Sequence, residues 1–283
     1  MAHAQSPIAI LGCGTMGEAI VAGLLASKAR TPAQLLVTSR REARRETLAS
    51  RYGVLAMEDN AAAIDGASIV LLCLKPRGAL DLLDDPAMVA ALHGKVIVSI
   101  AAGVPLAELR ARCPDAACIR AMPNTPCTAG KGMTVLARAP EVTDAQLDAV
   151  RDIFCAVGRC IELDDAHMDA VTALNGSGPG FVYVMIESLT DGGVMMGLPR
   201  DRALEIAASV FEGAAAMVLA SGEHPAALKD DVTTPAGCTI AGLLTMEDGR
   251  IRSVLARSIQ EAAIVASKLG NKAPATDASA EAP

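Results

Sequence analysis

Ile8-Ala-Ile-Leu-Gly-Cys-Gly-Thr-Met-Gly-Glu-Ala-Ile20 decides how the rest of the chain is read. Ile8 to Leu11 is a short apolar run of the kind that forms a strand buried on both faces. Gly12, Gly14 and Gly17 follow in G-x-G-x-x-G spacing, and Met16, Ile20, Val21, Leu24 and Leu25 then recur at helical intervals. A glycine triplet between a strand and a helix is the context that a dinucleotide fingerprint requires. Gly12 permits a tight turn, Gly14 lets backbone approach a pyrophosphate, and Gly17 lets helix and strand pack closely. Unpaired N–H groups and the positive dipole end at the helix start complete an anion site. The competing reading is a glycine-rich turn in some other α/β protein.

Outward from this stretch, short apolar runs at residues 35–38, 54–56, 69–74, 96–100 and 117–122 predict further strands, with 133–137 and 160–163 as two more. Helical patterns fill most gaps, at 41–51, 79–92, 106–113 and 143–157, the last with Thr143 as N-cap. Strands alternating with helices predict a mostly parallel, doubly wound sheet with helices on both faces. From residue 165 to 270 only helices are expected, broken at Gly-Pro-rich points such as Gly176-Ser-Gly-Pro179 and Gly197-Leu-Pro199. The expected organisation is therefore a dinucleotide-binding domain over 1–163, a helical domain over 164–270 and a disordered tail over 271–283.

Bulk properties exclude several classes. At 283 residues, 52% apolar, the chain has ample core material. A net charge of −7, with no basic face interleaved with aromatics, argues against nucleic acid. No apolar run of bilayer-spanning length and no basic leader are read, so a cytoplasmic protein is expected. The eight cysteines show no C-x-x-C pairing and read as reduced and mostly buried. The four histidines lack ligand spacing, so no metal is expected. Two helices, 181–196 and 203–220, are apolar nearly all round and carry only two acidic residues each. A small helical domain has little interior to hide them. Burial against a second copy is the expectation, exposed Ala-rich faces the alternative.

An NAD-binding strand of this type usually ends in Asp or Glu. Here the position reads Thr38-Ser39-Arg40-Arg41. Hydroxyl and guanidinium groups suit a 2′-phosphate, which Arg clasps bidentately, so NADPH is expected, with NADH less preferred. The other reading makes these arginines the solvated start of a polar helix.

Further motifs join the glycine loop Gly12-x-Gly-x-Met-Gly17: Leu74-Lys-Pro76; Arg120-x-Met-Pro-Asn-Thr-Pro126; Asp169-Ala-Val-Thr172; Gly176-Ser-Gly-Pro179; Gly193-Val-x-x-Gly-Leu-Pro199; Gly222-x-His-Pro225; and Pro235-x-Gly237 with Thr239-Ile-Ala-Gly242. Taken together these motifs resemble the pyrroline-5-carboxylate reductase family. The resemblance implies a Rossmann-type domain followed by an all-helical dimerisation domain, in a homodimer or an oligomer of dimers. It implies reduction of L-1-pyrroline-5-carboxylate to L-proline, the last step of proline biosynthesis. It implies cofactor contacts at Gly12, Cys13, Gly14, Thr15, Met16, Gly17, Ser39, Arg40, Asn60, Leu72, Cys73, Leu74, Lys75, Ile100, Ala101 and Ala102. Substrate contacts are implied at Asp165, Gly237, Cys238 and Thr239. Asn175, Asp231, Ala236 and Cys238 depart from the family's common residues.

The chemistry can also be built from the residues. Reducing a C=N bond needs hydride at carbon, a proton for nitrogen and a grip on the carboxylate. Thr233-Thr-Pro-Ala-Gly-Cys-Thr-Ile240 opens a helix, so its free N–H groups can bind a carboxylate, and the Thr239 hydroxyl can reach a ring nitrogen as the catalytic group. The plainer reading is a turn with a threonine cap. A reductase of another cyclic imine is the alternative activity. A β-hydroxy-acid enzyme is disfavoured because 169–196 contains no Lys. A non-catalytic NADPH-binding protein is disfavoured by the intact Gly237-x-Thr239.

Overall fold

The computed structural model describes residues 6–269; the tail expected to be disordered lies outside them. By packing, the described residues form two compact units, one of 6–177 with 261–269, the other Gly178–Gln260. The composition boundary at 163/164 marks a different event, the end of the last strand at Glu162.

In the first unit the elements run β1 (Ile8–Leu11), α1 (Thr15–Ala26), β2 (Leu35–Thr38), α2 (Glu42–Tyr52), β3 (Leu55–Met57), α3 (Asn60–Asp65), β4 (Ile69–Leu72), α4 (Pro76–Leu83) and α5 (Pro86–Ala91). They continue with β5 (Val96–Ser99), α6 (Leu106–Arg112), β6 (Ala117–Met122), β7 (Gly132–Arg138), α7 (Asp144–Cys155), β8 (Gly158–Glu162) and α8 (Met168–Val171). One eight-stranded sheet results, in the order β3-β2-β1-β4-β5-β6-β7-β8. β1 to β6 are parallel, joined by crossover helices. β7 runs antiparallel to β6 because only a 3₁₀ turn, Thr125–Ala129, joins them and no crossover helix carries the chain back. α7 then supplies a crossover, and β8 lies parallel to β7. β1, β2, β4 and β5 are buried at every residue, as continuous apolar runs covered on both faces must be.

The helix expected over 79–92 is two helices. Asp85 accepts the Ala87 N–H as N-cap of α5, and Pro86 takes the first helical position, where no N–H is needed. Thr143 caps α7, as its sequence predicts, and the structure adds a capping box with Gln146. Thr172–Gly176 is a π-helical turn that leads into the break read at Gly176-Ser-Gly-Pro179.

The second unit holds α9 (Gly178–Met195), α10 (Arg200–Ser221), α11 (Pro225–Asp231), α12 (Cys238–Asp248) and the first part of α13 (Ile251–Ala266). α9 and α10 form a hairpin closed by an Arg200–Asp191 ion pair of 2.8 Å. Within this unit only Thr190, Ala203 and Ala207 are buried. Within α10 an 18-residue stretch has mean hydropathy 1.6, which by length and composition alone would suffice to cross a bilayer, a test that apolar helices of soluble proteins also pass. Its apolar side chains, Val210, Met217 and Leu219 among them, are exposed in the single chain.

Candidate active site

The strand order reverses between β1 and β4, and a ligand crevice is expected beside such a switch point. A cleft of about 1060 Å³ opens there, at the carboxyl ends of β1 to β4. The glycine loop forms its floor. Gly12 has φ +74°, a conformation that strains any residue with a Cβ, and a Cβ there would also crowd Leu74 Cδ2 at 2.3 Å and the Cys73 carbonyl at 3.2 Å, so glycine is strongly favoured. A Cβ on Gly17 would press at 3.2 Å on Cys13 Sγ and Ile10 Cγ2, so Gly17 lets α1 sit close on β1. No side chain caps α1, whose N-cap is Gly14, so its first N–H groups stay available to an anion.

Thr38, buried at the end of β2, organises the loops around it. Its carbonyl accepts the Cys13 N–H at 2.8 Å. Its hydroxyl accepts the Gly12 N–H at 3.1 Å and donates to Asn60 Oδ1 at 2.7 Å. Asp59 caps α3 through the Ala61 and Ala62 N–H groups and so fixes Asn60 at the helix start. Ser39, Arg40 and Arg41 line the cleft, and neither Arg40 nor Arg41 has an ion-pair partner among the described residues. The other two arginines of this cluster are spent on structure. Arg44 donates to the Cys13 and Gly14 carbonyls and pairs with Glu18 at 2.6 Å. Arg45 donates to the Ser39 and Arg40 carbonyls and pairs with Glu58. Burial raises the Glu18 carboxyl, but hydrogen bonds from Arg44 and Tyr52, with the Arg44 and Arg51 charges, hold it below the usual carboxylate range.

Of the residues expected at the cofactor, Gly12, Cys13, Gly14, Ser39, Arg40, Asn60, Cys73, Leu74 and Lys75 line this cleft. Thr15, Met16 and Gly17 lie in α1 beyond it, and Leu72 is buried in β4. Ile100, Ala101 and Ala102 follow β5 and do not line it. Arg77 and Glu58 line it and were not singled out in the sequence. Arg77 directly follows the Leu74-Lys-Pro76 motif, which was the signal for it; Glu58 stands in no motif and is brought there by the loop after β3. Burial pushes the Cys13 thiol up to about 12, and burial also raises Cys73, so neither offers a thiolate at neutral pH.

Asp165 lies in the first unit, where its carboxylate is already engaged. Oδ1 pairs with Arg120 at 3.0 Å and Oδ2 accepts the Leu106 N–H at 3.1 Å. Arg120, only 3% exposed, also reaches Asp169 at 3.3 Å. This arrangement ties β6 to α6 and α8. Asn175 donates to the Met122 and Met133 carbonyls and accepts from Asn124, so it pins the turn that follows β6. Asn175 drew notice in the sequence only as an unusual residue for the family.

Gly237, Cys238 and Thr239 belong to the second unit, at the start of α12. The Gly237 N–H closes a turn onto the Thr234 carbonyl at 3.1 Å, which removes it from the donors expected to face an anion. Cys238 and Thr239 keep theirs, as first-turn residues with no capping side chain. Ala236 holds φ +55°, a left-handed conformation unusual for a side chain with Cβ. Among the described residues no cluster of His, Cys, Asp or Glu has metal-holding geometry.

Comparison with known proteins matches this arrangement. The family model for pyrroline-5-carboxylate reductase dimerisation matches residues 165–269. That for NADP oxidoreductase, coenzyme F420-dependent, matches residues 7–103. A pyrroline-5-carboxylate reductase of Schizosaccharomyces pombe is 40% identical, covering 94% of this chain and 100% of the relative. One from Synechocystis is 41% identical, over 94% and 98%. The solved structure of a Coxiella burnetii pyrroline-5-carboxylate reductase superposes with TM-score 0.87 at 27% identity, covering 95% of this chain and 100% of that one. That of Plasmodium falciparum pyrroline carboxylate reductase, with NADP bound, does so at 0.85 and 26%, covering 94% and 99%. An N-terminal domain of the NADP-binding type, a helical dimerisation region and identity near 40% along nearly the whole chain place it in the pyrroline-5-carboxylate reductase family, NAD(P)H-dependent oxidoreductases.

Proposed function

We propose that the chain reduces L-1-pyrroline-5-carboxylate to L-proline with NADPH as preferred donor, as a cytoplasmic homodimer. A bound reduced nicotinamide supplies the hydride that adds to the imine carbon; a proton completes the ring nitrogen. The protein's share is orientation and electrostatics. Gly12 and Gly14, with the open start of α1, take the pyrophosphate. Ser39 and Arg40 take the 2′-phosphate, with Arg41 beside them. Asn60, held by Thr38, and the Cys73 to Lys75 turn line the nucleotide's path. The N–H groups of Cys238 and Thr239 hold the substrate carboxylate, and the Thr239 hydroxyl bonds the ring nitrogen. Asp165, whose oxygens are engaged elsewhere, acts on substrate only through the loops it ties together.

The observation that carries the NADPH preference is the pair Arg40 and Arg41, facing the cleft without partners where an NAD site would carry a carboxylate. The test follows NADPH and NADH oxidation at 340 nm with pyrroline-5-carboxylate and with other cyclic imines. Arg40→Ala is expected to raise KM for NADPH about tenfold and to leave KM for NADH unchanged, since it removes uniform binding to the phosphate alone. Equal losses with both donors overturn the assignment.

A further inference from the structure

The two arginines that do not reach the cleft carry an inference of their own, which rests on the cofactor assignment above. We propose that Arg44 and Arg45, adjacent on α2, are positioning residues that divide the cofactor between them. Arg44 sets the glycine loop for the pyrophosphate, and Arg45 sets the turn that reads the 2′-phosphate. Neighbouring residues on a helix point about 100° apart, so one side chain turns to α1 and the other to the loop after β2.

Arg44 reaches Cys13 O through Nε at 3.1 Å, and Gly14 O and Glu18 through Nη2 at 3.2 and 2.6 Å. Glu18 is itself fixed by Arg51 at 3.0 Å and by the Tyr52 hydroxyl at 2.9 Å. The planar guanidinium therefore holds two successive carbonyls of the loop in one orientation. In planar trans peptides this turns both following N–H groups to the side away from Arg44: that of Gly14 closes onto the Gly12 carbonyl at 2.7 Å, and that of Thr15 is left for the pyrophosphate. With Glu18 beside it, Arg44 adds little net charge, so its effect runs through backbone geometry.

Arg45 Nη1 reaches Ser39 O at 2.9 Å and Arg40 O at 3.1 Å, and Nη2 reaches Glu58 at 3.2 Å. It ties the turn after β2 to the loop after β3, which also meet through Ser39 N–H to Met57 O. Glu58 lines the cleft, so Arg45 also screens a carboxylate from the place assigned to the 2′-phosphate.

The test uses the full chain and two probes that split the cofactor: ADP, with a diphosphate and no 2′-phosphate, and 2′-AMP, the reverse. Calorimetric titration of Arg44→Gln is expected to show ADP weakened about tenfold and 2′-AMP within twofold of wild type, the scale of losing charge-assisted hydrogen bonds. Arg45→Gln is expected to show the converse, and Arg45→Gln with Glu58→Gln to keep most of the 2′-AMP loss. In kinetics, Arg44→Gln raises KM for NADPH and NADH by one factor, Arg45→Gln raises it for NADPH alone, and kcat at saturating cofactor holds for both. Arg44→Lys keeps a charge beside Glu18 without the planar fork; it is expected to restore the thermal midpoint and not ADP affinity. Loss of both probes in parallel by both variants, or full rescue by lysine, assigns the pair to stability and overturns the proposal. A wild-type protein that binds neither probe overturns the cofactor assignment and this inference with it.

Discussion

The sheet unit and the helical unit solve opposite problems with similar residues. In the sheet unit, Val98 and its neighbours on β5 are shut from solvent on both faces, Val98 at 0% exposure. In the helical unit, Val210 is 56% exposed and Leu219 63%. Fully burying such a side chain is worth about 1.5–3 kcal/mol, so a face carrying many of them forgoes a large stabilisation while it stays in water. The family match to a dimerisation region covers that face. One unit is complete as a folded object; the other, on the homodimer proposed above, is complete only against a second copy.

The contrast breaks most sharply with one substitution made twice. Val98→Asp puts an unpaired charge in a closed core and is expected to abolish folding, at a cost beyond about 4 kcal/mol. Val210→Asp is expected to leave the sheet unit folded and able to bind NADPH, but to shift the full chain from dimer to monomer in sedimentation. A dimer unchanged in that variant would remove Val210 from the interface. The next largest effect separates the units by ligand. Thr239→Val is expected to lower kcat/KM for pyrroline-5-carboxylate roughly ten- to a hundredfold while NADPH affinity holds, and Thr239→Ser to retain most activity. If valine matched wild type and serine did not, packing by the methyl group would be the role of Thr239.

Thiol chemistry sharpens the same line. Burial pushes Cys118 and Cys160 up to about 12, as it does Cys13. At pH 8 only about one in ten thousand such thiols is ionised. Exposed Cys155 and Cys238 are therefore expected to be the first labelled by a thiol reagent, and only Cys238 labelling to stop turnover. Mass mapping that found Cys13 labelled first would show the glycine loop opening. The smallest effect belongs to Ala236→Gly, which relieves a left-handed residue and is expected to raise the thermal midpoint by about 1–2 °C, once the flexibility glycine adds to the unfolded chain is subtracted.

Much of the sheet unit was legible because its signals are local. The glycine loop, the apolar runs of β1, β2 and β4, and the Thr143 N-cap each occupy a few consecutive residues. Asp85-Pro86 was equally local and marks the break between α4 and α5; an unbroken helix over 79–92 overlooks it. The reversal of β7 depends on what the 3₁₀ turn replaces, a crossover helix, and no period in the strand itself encodes that. The four arginines at 40, 41, 44 and 45 look alike in sequence. Only the folded chain sorts them, because Arg44 meets carbonyls about thirty residues away in sequence. The same holds for Asp165, whose buried partner Arg120 is 45 residues away. For Gly237 the obstacle was nearer: whether an N–H is free at a helix start depends on the turn before it.

In the proposed homodimer the exposed face of α10 also sets the order of the folding reaction. A sheet unit whose contacts all lie within one chain regains its structure at a rate independent of dilution. A helical face that needs a second copy waits for a collision, so recovery of activity from denaturant becomes second order, and the midpoint of unfolding moves with protomer concentration. The same face is open to unintended partners during that wait. Too little protein starves assembly and too much feeds aggregation, so the yield of refolded enzyme passes through a maximum between them.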